Sequence, residues 1–205
     1  MKILIKTFLF SSFIFSQYPA DSLLSLPDNS ISQKIFLYPI AKWQGISYGN
    51  NAMNCQFFPS CSNYGAQAIH EKGVISGLAI TSDRIIRCNH AAYKVHNKMG
   101  GKFYKDGRLI DHVNYTVLEK SKKSPIIAVG LSMAVPGLGR AYAGRPKDAA
   151  FGFLMSALAI NAGVKSIKGE SFFSPLYIGI ALTFYSGEVY GAYRTAKYYQ
   201  PKINE

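Results

Sequence analysis

The stretch Cys55-Gln56-Phe57-Phe58-Pro59-Ser60-Cys61-Ser62-Asn63-Tyr64, followed by Arg84-Ile85-Ile86-Arg87-Cys88, decides how this chain is read. Pro59 lacks a backbone N–H and disfavours helix in the residue before it. Residues 55–60 therefore form a turn that brings Cys55 and Cys61 close. Ser62 is suited to cap a helix running from Asn63 to about residue 70. Gly73 ends that helix, and a second runs over residues 74–88. Ile75, Leu78, Ala79, Ile85 and Ile86 make its apolar stripe, with Asp83, Arg84 and Arg87 on another face. Cys88, at its end, returns to the first two thiols.

Three readings of these thiols stay open. With His90 they supply the four N/S ligands that zinc prefers, at C-x5-C and C-x-H spacings looser than the usual knuckles. A disulfide suits an exported domain and always leaves one of the three thiols over. The third reading is reduced, buried cysteines acting as small apolar residues. No paired carboxylates, phosphate loop or nucleophile–base set accompanies them, so the chain is read as no enzyme. Zinc apart, no cofactor is expected.

The surroundings point to a membrane. Of 205 residues, 48% are apolar and only 17% charged, against about 25% in an ordinary soluble domain. Mean hydropathy is just above zero. This composition excludes a disordered tail, a fibre and a disulfide-stapled miniprotein. Residues 1–17, with Lys2 and Lys6 before an apolar run, read as a signal peptide or anchor. Residues 18–32 read as a linker, residues 33–115 as a small helical cysteine domain, and residues 116–123, with Lys120, Lys122 and Lys123, as a basic linker.

Residues 124–200 read as a helical membrane domain. Residues 125–143 carry one charge, Arg140, while residues 149–164 and 174–187 carry none. The fold expectation is all-α: the cysteine domain followed by two or three transmembrane helices. Pro136, Gly137, Gly139, Tyr142 and Gly144 form a Pro-Gly-x-Gly, Tyr-x-Gly pattern similar to that of small bacterial membrane domains. It allows a helix break and close helix packing. Arg140 is costly in hydrocarbon and needs a carboxylate, for which Glu188 and Asp148 are the candidates.

Between Arg84 and Arg108 stand seven Lys/Arg and one acid, Asp106. Lys94, Lys98, Lys102, Lys105 and Arg108 are placed to meet an anionic leaflet, at about 1 kcal/mol each. Tyr93, Phe103 and Tyr104 suit the headgroup level. Nucleic acid is not expected, because no recognisable nucleic-acid module is present.

The motif residues carry a resemblance. Cys55, Phe57, Pro59, Ser60, Cys61, Ser62, Tyr64, Ala68, Ile69, Gly73, Gly77, Arg84, Arg87 and Cys88 stand where the membrane protein insertion efficiency factor family (YidD) carries its C-[RQ]-F-x-P-[ST]-C-S-x-Y run and R-[IL]-x-R-C. The likeness covers residues 33–112, and Asn89-His90 departs from the family's proline-rich continuation. It implies a non-enzymatic accessory role in membrane-protein insertion or folding, with the bilayer and the insertion machinery as partners, at the bacterial inner membrane. The alternatives are a membrane-bound thiol or metal-binding envelope protein and a membrane-lytic protein.

Overall fold

The computed structural model describes residues 18–49, 55–114 and 123–199. The signal or anchor at residues 1–17 and most of the basic linker at residues 116–123 lie outside the described residues. The described part holds nine helices and one two-stranded ladder.

Residues read as a linker contain the first helix, α1 (Pro19–Leu24). Its start is set by Pro19 and by Asp21, whose carboxylate accepts the Tyr18 N–H at 3.2 Å. Ala20 is wholly buried and donates its N–H to Gln44 Oε1 at 2.9 Å. A short polar segment reads as linker because one buried alanine leaves no periodic signal.

The second helix, α2 (Ile31–Ser47), opens with a reciprocal cap. Gln33 N–H donates to Ser30 Oγ, and Ser30 N–H donates to Gln33 Oε1. Its inner side, Leu37 and Ala41, packs with Ala20, Ala66 and Ile69. Strand β1 (Phe57–Phe58) then pairs in parallel with β2 (Leu109–Ile110).

The helical hairpin α3 (Cys61–Lys72) and α4 (Val74–Arg87) follows. Helix α3 starts two residues earlier than the sequence suggests. Ser60, not Ser62, is its cap and accepts the Asn63 N–H at 3.3 Å. Ser62 sits in the first turn and accepts from Gln44 Nε2 at 3.3 Å. Gly73, at φ 77°, ends one helix and begins the next. The two backbones touch at Gly77, where a Cβ would overlap Ile69 main-chain atoms.

The expected apolar stripe of α4 holds only in part: Leu78 packs on the core and Ile86 is buried. Ile75 is 85% exposed and Ile85 also faces outward, whereas Ser82, Asp83, Arg84 and Arg87 are buried with Ile80 and Ile86. The polar face points inward because later helices bring it charged partners. Short helix α5 (Ala92–Lys98) leads to β2.

The C-terminal third is α6 (Pro125–Ala134), α7 (Leu138–Tyr142), α8 (Pro146–Lys168) and α9 (Ser174–Tyr198). The expectation of two or three spans is corrected: among the described residues only α8 is long and apolar enough to cross a membrane. Helix α6 has 10 residues and stops before Val135, which is extended, and Gly137, at φ 95°. Helix α9 has 25 residues, but Tyr185, Ser186, Glu188 and Tyr190 dilute its apolar run.

Helix α9 lies along α4, and glycines make the approach possible. A Cβ on Gly187 would overlap Ser82, and one on Gly191 would overlap the Arg140 guanidinium and the Asp83 carboxylate. Buried ion pairs fill the seam. Arg140 Nε meets Glu188 Oε2 at 2.8 Å, and its Nη2 meets Asp83 Oδ1 at 2.8 Å. Arg87 bridges Asp83 at 2.9 Å and Asp111 at 2.7 Å. Arg194 approaches Asp111 Oδ1 at 3.3 Å. Asp148, the other carboxylate considered for Arg140, pairs with Arg145.

Burial alone would raise the Asp83 and Asp111 carboxyls. The guanidiniums of Arg87, Arg140 and Arg194 around Asp83, and of Arg87, Arg194 and Arg84 around Asp111, outweigh it and hold both well below the usual carboxylate range.

Two outcomes are expected in thermal unfolding of the detergent-purified chain. Gly191→Ala destabilises by about 1–3 kcal/mol through overpacking. Gly179→Ala meets no atom within 4 Å, so it raises stability by about 0.5–1 kcal/mol. A pH dependence follows as well from the depressed carboxyls, which bind protons more readily once unfolded. Their stabilisation is complete above the unfolded value near about pH 4 and is lost as the pH falls through the folded values. Tm therefore drops steeply below about pH 4, and the Tm gap between wild type and Asp111→Asn closes as the pH falls.

Candidate functional site

The motif residues fold around one buried arginine. The Arg84 guanidinium lies between two rings, 4.2 Å from the Phe57 centroid and 4.3 Å from that of Tyr64. Its Nη1 donates to the Asp111 carbonyl at 2.6 Å and its Nη2 to the Pro59 carbonyl at 2.8 Å. One side chain of α4 thus clamps the turn before α3 and the end of β2. Burial pushes the Tyr64 phenol up to about 12. Helix spacing puts Arg87 one turn further on, where it reaches Asp111 as well.

The clamp sets the three thiols together. Their Sγ atoms all lie within 4.8 Å of one another, and Cys55 Sγ stands 3.3 Å from Cys61 Sγ. All three are free and half-buried. Gln56 Nε2 donates to Cys88 Sγ at 3.3 Å and to the Asn89 carbonyl at 3.2 Å. Hydrogen bonds from Cys61 and Cys88 favour a thiolate on Cys55 and lower it. The same contacts push Cys61 up. An open pocket beside Cys55 and Cys61 is edged by Trp43, Tyr48, Ser60 and Arg108. His90 is not in the group: it is exposed, with Nε2 3.4 Å from Lys147 Nζ.

The basic residues divide. Lys94, Lys98, Lys102 and Lys105 are exposed. Arg108 is engaged: it pairs with Asp106 at 2.7 Å and lies over Phe58, whose ring stacks on Tyr104 at 3.8 Å.

Pro136, Gly137, Gly139, Tyr142 and Gly144 build the turn that feeds Arg140 into the seam. Gly137 N–H donates to Glu188 Oε1 at 3.1 Å. A Cβ on Gly139 would overlap the Ala128 carbonyl and Ser132. Tyr142 Oη accepts the Ser124 N–H at 3.2 Å, and Gly144 takes φ 93°.

Sequence reading missed Asp111, Asn89 and Arg145. Asp111 gathers Arg84, Arg87 and Arg194. A lone carboxylate just past a basic run was the signal that could have found it. Asn89 Nδ2 donates to Asp148 Oδ1 at 2.7 Å and so ties the end of the cysteine motif to α8.

Comparison with known proteins agrees with this placement. The YidD family model, described as "Putative membrane protein insertion efficiency factor", matches residues 32–99. A relative of that name from Colwellia psychrerythraea is 40% identical over 62 residues, 30% of this chain and 76% of the relative. One from a Geobacter species is 32% identical over 57 residues, 28% of this chain and 81% of the relative. One from Streptomyces avermitilis is 57% identical over 35 residues, but these cover 17% of this chain and only 30% of that relative. No solved structure gives a significant match. With its thiols, aromatic rings and clamp arginine all inside the matched segment, the chain belongs to the membrane protein insertion efficiency factor (YidD) family.

Proposed function

We propose that this chain is a non-enzymatic accessory factor that assists insertion or folding of membrane proteins at the bacterial inner membrane. The relatives' shared name supports the insertion role. The observation that carries the membrane placement is the inverted burial of α8. Its inner side is Asp148, Ala149, Gly152, Ser156, Ala159, Gly163 and Ser166. Its outer side exposes Phe153, Leu154, Leu158, Ile160, Val164 and Ile167. A water-facing helix places its large apolar residues inward. Small residues inside and large apolar residues outside is the arrangement that lipid favours. Ile31, Ile35, Tyr38 and Ile46 also line the outer face of α2, which suits a helix lying in the interface. Exposed Lys94, Lys98, Lys102 and Lys105 add attraction to anionic headgroups.

The test is a pulse-chase protease-protection assay on a polytopic reporter in cells depleted of this chain. Insertion falls on depletion and is restored by the wild-type chain. Leu158→Lys costs about 2.5–3.5 kcal/mol at the centre of a spanning helix, so this variant fails to restore insertion. Unchanged insertion on depletion sinks the accessory role. A Leu158→Lys chain that restores insertion as well as the wild type sinks the placement of α8.

The converging thiols favour a second reading, a soft-metal or thiol-exchange site at Cys55, Cys61 and Cys88. Three thiolate ligands select soft ions. Cadmium titration of reduced, purified protein is expected to give a thiolate-to-metal absorption band that saturates at a single ion per chain and disappears in Cys88→Ser. Absence of the band in the wild type removes this reading.

A further inference from the structure

A second site lies on the far side of the clamp, where the motif meets the ends of α8 and α9. A cavity of about 60 Å³ opens there, lined among others by Arg87, Arg145, Arg194, Ala92 and Tyr199. One water needs roughly 10–15 Å³ of such space, so the cavity has room for a group the size of a phosphate.

Two of the lining guanidiniums are incompletely used. Arg87 is 5% exposed and Arg145 is 8% exposed. Among the described residues, Arg87 Nη2 and Arg145 Nε are buried donors with no hydrogen-bond partner. Buried donors are almost always paired in folded proteins. The charge balance points the same way. Five arginines (Arg84, Arg87, Arg140, Arg145 and Arg194) share four carboxylates in this network (Asp83, Asp111, Asp148 and Glu188). Asp111 also lines the cavity, but its charge is taken by Arg84, Arg87 and Arg194. Guanidiniums of a network with one more positive charge than its carboxylates therefore surround a space of oxyanion size.

We infer that this cavity binds a phosphate-type oxyanion, held by Arg87 and Arg145, and that the anion is the headgroup of an anionic phospholipid. Guanidinium forks match phosphate oxygens. The lipid source follows from position. Arg145 immediately precedes α8, the helix able to cross a membrane, and Tyr198 and Tyr199 close the other side. Arginine and tyrosine at the end of a span lie at headgroup level. The choice of lipid over free phosphate rests on reading α8 as a membrane segment; the oxyanion site itself does not, nor does it need the accessory role.

The test uses the full chain in a maltoside detergent at constant ionic strength, followed by thermal unfolding. The probes are dihexanoyl phosphatidylglycerol and inorganic phosphate, with sodium chloride as baseline. A ligand that binds only the folded state raises Tm with its concentration. The lipid is expected to raise Tm saturably by several degrees, with phosphate far weaker. Arg145→Gln removes the shift. Ala92→Leu, which fills the cavity and leaves every charge in place, also removes it, and this variant carries the test if Arg145→Gln does not fold. Lys102→Ala, on the exposed basic face, keeps the shift. If phosphate alone matches the lipid, the oxyanion site stands and the lipid source is overturned. No shift beyond sodium chloride overturns the proposal. So does a shift that survives Ala92→Leu or disappears in Lys102→Ala.

Discussion

The ion pair between Asp83 and Arg140 is the contact on which the rest of the molecule depends. Both side chains are essentially inaccessible to water. Two unpaired charges so placed would cost several kcal/mol each. Each is therefore met more than once, Arg140 by Glu188 and Asp83 by Arg87. Satisfying both at once requires α4, α7 and α9 to meet within hydrogen-bonding distance. That requirement explains the glycines at 187 and 191, which remove the side chains that would hold the helices apart. Arg140 reaches the two carboxylates through different nitrogens, which fixes the register of α9, because a shift of one turn would carry Glu188 away from Arg140.

This polar seam gives the C-terminal helices their unusual distribution of residue types. Where α8 and α9 meet the interior they present Gly, Ala, Ser and charge. Their large apolar side chains have no interior left to occupy and face outward, from Phe151 through Leu182. Removal of these side chains from water thus requires something beyond the described chain. A bilayer supplies it at no cost in backbone hydrogen bonding, since helices satisfy their own.

Much of this was legible in the sequence, and the illegible parts share a cause. The Pro59 turn, the Gly73 boundary and the break at Pro136-Gly137 are local, set by φ restrictions that a residue carries wherever it stands. The Arg140–Glu188 pair was legible because a charge inside an apolar run needs a counter-charge. The inward face of α4 was not. Asp83, Arg84 and Arg87 look like a solvated face until Asp111, Arg140 and Arg194 arrive from elsewhere in the chain. Likewise α1 has a single buried side chain, too little for any periodicity. The span count failed because stretches free of charge include α6, which is simply too short. The thiol cluster was legible as convergence, but not the exclusion of His90, which turns toward Lys147.

The seam also bears on the order of synthesis. The cysteine motif and Asp83 leave the ribosome well before α7 and α9, which carry Arg140, Glu188 and Arg194. Domains fold from the N-terminus as they emerge, yet the inward face of α4 keeps an incomplete set of counter-charges until α9 is made. The segment shared with the short relatives can thus settle fully only once α9 closes over it. Maturation of the motif is tied to the arrival of α9, a timing that a motif ending at residue 99 would not impose.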